Sequence, residues 1–244
     1  MKSEKNIQFN TWLYGRHAVM AYVERHISLV KSISYVESSH PDIKRLKSRY
    51  KSIAFHAVDK DFFNPFPKGH QKIAAQVDLN IPTPSIEMLY EAHGQSLCLV
   101  ALDGVTDPQN LGACIRVARA LGASGLLLPK HDSCAITPLV HKVAAGAAAS
   151  LPIIHIQNLH QTLLKLKKMG IWVYGTSEHE HGESLSQVKP GGPVVIVMGS
   201  EGQGIRPVIQ KTVDHMVAIP TEADFPSLNV ATACGVILYH FKHL

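Results

Sequence analysis

The chain has 244 residues, of which 45% are hydrophobic and 18% are charged. This composition is typical of a globular protein with a buried core, and it excludes a disordered, collagen-like or coiled-coil chain. Lys and Arg number 24 against 19 Asp and Glu, so the net charge is +5. Residues 1–76 hold 13 basic and 6 acidic residues. The positive excess therefore lies in the first third, which indicates either a module for an anionic partner or a solvated lysine-rich surface.

The cysteine spacing and the apolar runs of the sequence indicate in which cellular compartment the protein is expected. The four cysteines form no Cys-x-x-Cys pair, which disfavours a disulfide framework or a structural zinc site, and we expect four buried thiols. They are Cys98, Cys114, Cys134 and Cys234. Residues 1–6 lack the apolar segment of a signal peptide, and no uncharged apolar run reaches about 18 residues. We therefore expect a cytoplasmic protein without a membrane span.

Residues 11–76 have the pattern of a small α/β unit. Helical spacing begins at Tyr14, a second helix is predicted over 43–50, and strands are predicted over 33–36, over 53–58 and from residue 70. The second helix and the residue after it carry the densest positive cluster of the chain, namely Lys44, Arg45, Lys47, Arg49 and Lys51. Contact with a nucleic acid and a solvated helix face both explain such a cluster.

An aromatic loop follows in the same region. Phe62, Phe63 and Phe66 lie in a short segment with two prolines, so the loop is expected to be rigid. One interpretation is that a phenylalanine ring stacks on an unpaired base of RNA. The other interpretation is a local hydrophobic core beneath the proline loop.

Residues 77–92 mark a seam, because they contain two prolines and three acidic residues but no basic one. We predict an N-terminal domain over 1–76, a linker over 77–94 and a C-terminal domain over 95–244. From residue 97, short apolar runs alternate with helical patterns, which predicts an α/β fold with a mostly parallel sheet. The predicted strands are 97–102, 125–129, 152–156, 171–175, 193–198 and 215–219. The predicted helices are 110–122, 138–149, 158–169, 205–212 and 227–242.

Three segments follow predicted strands, at the sheet edge where ligands of α/β proteins bind. The first, residues 102–112, reads Leu-Asp-Gly-Val-Thr-Asp-Pro-Gln-Asn-Leu-Gly and enters a helix. Gly112, Arg116 and Arg119 have the spacing i, i+4, i+7, which predicts that they share one helix face. A glycine beside two arginines would allow the close approach of an anionic backbone. An ordinary capped helix with surface arginines is the alternative.

The second segment, residues 198–204, is Met-Gly-Ser-Glu-Gly-Gln-Gly after a buried strand. Its glycines have the order Gly-x-x-Gly-x-Gly, which differs from the dinucleotide pattern, and no lysine of a phosphate loop is present. Glu201 stands among these glycines, where a carboxylate can hold an arginine or accept hydrogen bonds from a ligand. The third segment, residues 227–230, is Ser-Leu-Asn-Val, and Ser227 is a credible N-cap of the last helix.

In this order, the three segments resemble the motifs of the SpoU (TrmH) family of RNA ribose 2′-O-methyltransferases, which belongs to the SPOUT superfamily. The resemblance covers about residues 95–244. Residues 14–19, Tyr-Gly-Arg-His-Ala-Val, extend it. They resemble the start of the small RNA-binding domain, of ribosomal-protein L30e type, in the branch of the family that methylates a guanosine ribose of 23S rRNA.

The resemblance implies a trefoil-knotted C-terminal SPOUT domain with a mostly parallel sheet, and a small L30e-like α/β domain before it. It also implies S-adenosyl-L-methionine as methyl donor, a homodimer, and 23S rRNA or a pre-ribosomal particle as partner. The donor-binding positions carried over from the family are Thr176, Gly199, Gly204, Ile219 and Leu228. The RNA-binding positions that we predict are Arg16, Lys44, Arg45, Lys47, Arg49 and Arg119.

The family resemblance also implies the catalytic residues, which are Asn110, Arg116, Glu201, Ser227 and Asn229. Family accounts give Arg116 the role of base. A guanidinium has a pKa above about 12 and no free acceptor, so we expect Arg116 to stabilise the developing alkoxide and the adjacent phosphate. The group that accepts the proton stays open. The third motif departs from the family at Ala231, where a serine is common.

Other functions remain to be separated from this one. A tRNA ribose methyltransferase differs only in its substrate, and a non-catalytic RNA-binding protein of ribosome assembly would keep the fold. A nicotinamide-dependent dehydrogenase is disfavoured because Gly-x-Gly-x-x-Gly is missing after the strand at 97–102. No metal is expected, because the 15 histidines show no His-Glu-x-x-His spacing. His179 and His181 flank Glu180 in a segment that is typical of a solvated loop.

Overall fold

The computed structural model describes residues 11–40, 43–177, 182–189, 191–200, 202–222 and 228–243. Its strands are β1 (Trp12–Tyr14), β2 (Val30–Tyr35), β3 (Ala54–Ala57), β4 (Ile73–Val77), β5 (Cys98–Asp103), β6 (Gly125–Pro129), β7 (Ile153–Ile156), β8 (Trp172–Ser177), β9 (Glu183–Ser184), β10 (Val194–Gly199) and β11 (His215–Ala218). Its α-helices are α1 (Arg16–Arg25), α2 (Ile43–Arg49), α3 (Ile86–His93), α4 (Pro108–Ala120), α5 (Pro138–Val143), α6 (Leu159–Lys168), α7 (Pro207–Gln210) and α8 (Val230–His243).

The chain divides into two compact units. Unit 1 comprises Met1–Pro82 and Ile136–Ser150, and unit 2 comprises Thr83–Ala135 and Leu151–Leu244. Unit 1 contains a sheet of order β1-β4-β2-β3, in which β2 and β3 are parallel and the other neighbours are antiparallel. Helix α1 packs on this sheet because Val19, Tyr22 and Val23 are fully buried at helical spacing.

The aromatic loop of unit 1 is a local core. Phe63 and Phe66 are buried and pack with Tyr14, while Phe62 is half-buried. The ring of His70 stacks on Phe63 with a centroid distance of 5.1 Å. The interpretation that Phe63 or Phe66 stacks on an RNA base is therefore wrong, because protein already covers the faces of both rings.

Unit 2 contains a sheet of order β7-β6-β5-β10-β8-β11-β9, in which every described pair of neighbours is parallel. The prediction of a mostly parallel sheet is thus confirmed. All six residues of β5 are buried, as are the first five of β10, because central parallel strands are covered on both faces. Leu159, Leu163 and Leu166 of α6 pack into the same core at helical spacing.

Three predicted helices have different bounds in the structure. The helix predicted over 138–149 stops at Val143, because Ala145 and Gly146 take left-handed φ angles of 50° and 93° that end it. The helix predicted over 205–212 is confined to α7, which begins at Pro207. The last helix begins at Val230, three residues later than predicted.

The two compact units divide the chain at other positions than the predicted domains. The predicted linker over 77–94 contains α3, whose N-cap Ser85 accepts a hydrogen bond from the amide of Met88. Ile86 and Leu89 of this helix are buried in the core of unit 2, so the second half of the segment is part of that unit. Residues 136–150 fall in unit 1, although the prediction placed them in the C-terminal domain.

Three of the four cysteines are fully covered by the fold. Cys98, Cys114 and Cys234 are buried as expected, whereas Cys134 is half-buried. Burial raises the pKa of Cys98 to about 11, so this thiol is protonated at neutral pH. In the described part of the chain, no helix has both the length and the apolar character needed to cross a membrane.

His141 makes the stability of unit 1 depend on pH. The side chain is buried beside Tyr22, with ring centroids 5.8 Å apart. Burial, and secondarily the charge of His26, lowers the pKa of His141 to about 4. Because the unfolded side chain binds a proton near pH 6.5 and the folded one does not, stability falls as the pH falls from about 6.5 towards 4.

We expect this group to lower the free energy of unfolding by about 2 kcal/mol between pH 7 and pH 5. Urea denaturation at both pH values measures the change. His141→Gln removes that part of the pH dependence, while His17→Gln, at an exposed position, leaves it. Equal pH dependence in wild type and His141→Gln would contradict the assignment.

Candidate active site

The carboxyl ends of four neighbouring strands meet at one edge of the sheet in unit 2. In the order β5-β10-β8-β11, Asp103 pairs with Gly199, and Thr176 pairs with Val217. Ile219 directly follows β11. The structure thus brings three of the predicted donor-binding residues to the edge where ligands of open parallel sheets bind.

The glycine segment after β10 folds back on itself. Ser200 and Gly204 exchange backbone hydrogen bonds of 3.1 and 2.9 Å, which closes a tight turn. A β-carbon on Gly199 would lie 2.2 Å from the carbonyl carbon of Gly204, so no side chain fits there. Gly202 and Gly204 have φ angles of 83° and 63°, which favour glycine. The glycine order therefore serves a compact turn rather than a dinucleotide loop.

A buried ion pair holds this turn to β5. The Asp103 side chain is fully buried, and its Oδ1 accepts hydrogen bonds from Nε and Nη2 of Arg206 at 2.7 and 2.6 Å. The backbone amide of Arg206 donates to Oδ2 of Asp103 at 2.9 Å. Arg206 also reaches Asp132 at 3.4 Å. The sequence analysis did not predict this cluster. The sequence feature that could have indicated it is the carboxylate of Asp103 at the end of one buried strand and Arg206 after the neighbouring one.

A pair of asparagines joins the first and third segments. Nδ2 of Asn229 donates to Oδ1 of Asn110 at 2.9 Å. Oδ1 of Asn229 accepts from the amide of Ala231 at 3.0 Å, so Asn229 caps the start of α8. Asp107 caps α4 by accepting from the amide of Asn110 at 3.1 Å. The helix start that Ser227 was expected to cap thus belongs to Asn229.

Helices α4 and α8 pack closely because small residues line their contact. A β-carbon on Gly235 would lie 3.3 Å from Cγ1 of Val117. Cys114 and Cys234 are fully buried in the two helices. The hydrogen bond with Cys114, together with burial, raises the pKa of Cys234 well above its usual value, so Cys234 offers no thiolate nucleophile.

The two arginines of α4 point to solvent. Arg116 and Arg119 are both exposed on the helix face that their spacing shares with Gly112, while the glycine itself is buried. Leu228, next to the Asn229 cap, is 37% exposed. The structure thus leaves Arg116 accessible on the helix that begins at the asparagine pair. Glu201 and Ser227 lie outside the described residues.

A buried hydroxyl lies at the end of β8. Oγ of Ser177 is buried and has no hydrogen-bond partner among the described residues. A β-carbon on Gly182 would lie 2.5 Å from this oxygen and 3.0 Å from the backbone of Val217. A buried polar atom without a partner is costly, so this hydroxyl is suited to a ligand that supplies one.

The predicted RNA-binding residues of unit 1 are on the surface. Helix α2 buries Ile43 and Leu46 and exposes its basic side chains, which are Lys44, Arg45, Lys47 and Arg49. Arg16 is exposed at the first position of α1. Within the described ranges, no group of three or more His, Cys, Asp or Glu is arranged to hold a metal ion. His179 and His181 lie outside those ranges.

A model of the SpoU rRNA Methylase family matches residues 98–239, which is more than half of the chain. The chain belongs to the SpoU rRNA methylase family. The match runs from β5 through most of α8, so it contains all three segments described above. The resemblance inferred from the motifs is confirmed.

Individual relatives extend the similarity beyond the family segment. The 23S rRNA (guanosine-2′-O-)-methyltransferase RlmB of Pseudomonas putida is 37% identical over 238 residues, covering 93% of this chain and 94% of that protein. The solved SpoU methyltransferase AviRb of Streptomyces viridochromogenes, in complex with AdoMet, has a TM-score of 0.79 at 23% identity and covers 94% of this chain and 88% of that one. The A. aeolicus TrmH/SpoU tRNA modifying enzyme is 27% identical, with a TM-score of 0.54, and covers 64% of this chain and 80% of that one.

The ion pair of Asp103 predicts a specific loss of stability. We expect Arg206→Ala to lower the free energy of unfolding by about 2–3 kcal/mol, because it leaves a buried carboxylate without its counter-charge. Urea denaturation measures this loss. Lys211→Ala, at a neighbouring exposed position, should change stability by less than about 0.5 kcal/mol. If both variants lost the same amount, the ion pair would not carry the effect.

Proposed function

We propose that this protein transfers a methyl group from S-adenosylmethionine to the ribose 2′-hydroxyl of a guanosine in 23S rRNA. The observation that carries the proposal is the joining of the first and third SpoU segments through Asn110 and Asn229, on the helix that exposes Arg116. The substrate is supported by the RlmB relative, which aligns over both units of the chain. The tRNA-modifying neighbour covers only 64% of the chain, so tRNA is the second candidate.

The residues at the sheet edge fit a methyl donor. Backbone groups near Gly199, Gly204, Ile219 and Leu228, with Thr176, would hold it, as the family resemblance implies. The backbone of Gly199 packs directly against that of Gly204, and the Ser177 hydroxyl, which has no hydrogen-bond partner among the described residues, is available to a ligand. When bound, S-adenosylmethionine supplies an electrophilic sulfonium methyl group. AviRb, which shares the fold, was crystallised with this donor.

Arg116 is the proposed catalytic residue. Its guanidinium keeps its positive charge at neutral pH and donates several hydrogen bonds, so it stabilises the developing 2′-alkoxide and binds the adjacent phosphate. Asn110 and Asn229 orient the start of α4 and the ribose. Glu201 and Ser227, carried over from the family, complete the proposed set. The knot and a homodimer are proposed on the same resemblance.

A homodimer agrees with the surface of α8. Val236 and Tyr239 are 41% and 53% exposed and lie three residues apart on one side of α8, and Leu228, just before the helix, is 37% exposed. Exposed apolar side chains in such a row are typical of a protein interface. In the family, the active site draws on both subunits, so a dimer would place this helix face beside a second copy of the chain.

The decisive experiment is transfer of tritiated methyl groups to unmodified 23S rRNA and, separately, to bulk tRNA. We expect label in rRNA at a ribose that resists alkaline cleavage. Arg116→Ala should lower the rate about 10²–10³-fold, because it removes a donor that acts on the developing charge. Arg116→Lys should also be slow, because an ammonium lacks the planar fork of the guanidinium.

Each outcome of this assay separates the candidates. Label in tRNA alone keeps the chemistry and replaces the substrate. No label in either RNA, although the protein binds RNA, favours a non-catalytic assembly factor. Near-normal turnover of Arg116→Lys with unchanged pH dependence would contradict both the proposed role and the role of base.

Gly199 provides a separate test of the donor site. Gly199→Ala forces a β-carbon against the Gly204 backbone and so displaces the turn. We expect calorimetric binding of S-adenosylmethionine to weaken at least about tenfold while RNA binding stays unchanged. Gly191→Ala, at a position with open space around it, is the control. Unaltered donor affinity of Gly199→Ala would exclude the turn from the donor site.

A further inference from the structure

Three segments of unit 1 that are distant in sequence meet around Gly15. A β-carbon on Gly15 would lie 3.6 Å from the carbonyl oxygen of Gly69, and 3.7 Å from both Oε1 of Gln71 and Cγ of Lys142. Lys142 donates from Nζ to the carbonyl oxygen of Lys68 at 2.6 Å. The start of α1, the loop over 68–72 and α5 therefore form one continuous surface.

The loop at the centre of this surface is held in an uncommon conformation. Gln71 and Lys72 both have left-handed φ angles, 52° and 54°, which side chains other than glycine rarely adopt. Oε1 of Gln71 accepts from the amide of Arg16, and the amide of Lys72 donates to Nδ1 of His70. His40 donates from Nε2 to the carbonyl oxygen of Gln71 at 2.7 Å. These bonds fix the backbone of the loop, from which Lys68 and Lys72 project.

The surface carries four cations, Arg16, Lys68, Lys72 and Lys142, which we call the basic loop surface. Residues 62–77 and 136–150 contain no Asp or Glu, and neither does the first turn of α1. Among the described residues, none of the three lysines forms an ion pair with a carboxylate. Burial, and then the charges of Lys72 and Lys142, lowers the pKa of His70, as expected beside concentrated positive charge.

Gly69 allows the lysine of α5 to lie against the loop. A β-carbon there would lie 2.5 Å from Nζ of Lys142. The same Nζ lies 5.7 Å from the centre of the Tyr14 ring. Lys142 is thereby held in place from two sides, while Lys68 is exposed beside it. Cations that are fixed close together suit the regularly spaced phosphates of a nucleic-acid backbone.

We propose that the basic loop surface binds phosphates of the RNA substrate, as a contact additional to helix α2. The inference rests on the proposed function for the identity of the RNA. It assigns no base recognition, because lysines that contact phosphates position the backbone without reading the sequence. Its effect is therefore on RNA affinity and on the Michaelis constant for RNA, with the turnover number unchanged.

Filter binding of unmodified 23S rRNA, without methyl donor, tests the proposal across a range of salt concentrations. The variant is Lys68→Gln with Lys72→Gln, which spares Lys142 and its contacts. We expect the slope of log K against log salt to fall by about 0.7–0.9 for each lost phosphate contact, and the affinity to fall at least about tenfold at ~0.1 M salt. Lys68→Arg with Lys72→Arg should bind like the wild type.

The matched control is Lys168→Gln with Lys211→Gln, which removes two exposed lysines of unit 2. An unchanged slope in the loop variant, or an equal loss in this control, would overturn the proposal. So would loss of binding in the arginine variant, since it would show that loop geometry and not charge is responsible. A wild type that binds rRNA but methylates no RNA would overturn the proposed function alone.

Discussion

The buried carboxylate of Asp103 is the constraint on which the rest of the site depends. A charge that is fully removed from water needs a partner of opposite charge, and Arg206 supplies three hydrogen bonds to it. Arg206 follows the turn over 199–204, and Gly199 is in register with Asp103 on the neighbouring strand. Both ends of the turn are therefore attached to Asp103 or its strand, which fixes the orientation of the turn's backbone at the sheet edge.

The second element of the site is the junction of α4 and α8. Small residues such as Gly235 let the helices approach, and the Asn110–Asn229 hydrogen bond joins their starts. This junction gathers two segments that are more than a hundred residues apart in the chain and leaves Arg116 in solvent. The junction presents amide groups and the exposed guanidinium of Arg116, which are the donors that the proposed stabilisation of charge on a hydroxyl oxygen requires.

In unit 1, the excess of basic residues seen in the composition appears as defined positive surfaces. Many of its basic residues lie on two surfaces, which are the exposed side of α2 and the basic loop surface. The aromatic residues of the loop are buried instead, since Phe63 and Phe66 pack into a local core. Charged groups cannot be buried without partners, whereas aromatic rings gain by burial, and this difference decides which of them face a partner.

The sequence by itself determined the alternation of strands and helices and the parallel sheet, because periodicity and turn chemistry are local properties. The three SpoU segments were identified by their resemblance to the family. The sequence also predicted that Gly199 and the start of the helix with Asn110 lie near one sheet edge, since the carboxyl ends of parallel strands coincide. Only the tertiary structure decided that Arg206 pairs with Asp103, that Asn229 caps α8, and that residues 136–150 join unit 1. Those outcomes depend on which residues distant in sequence come into contact when the chain packs, and no local sequence pattern predicts such contacts.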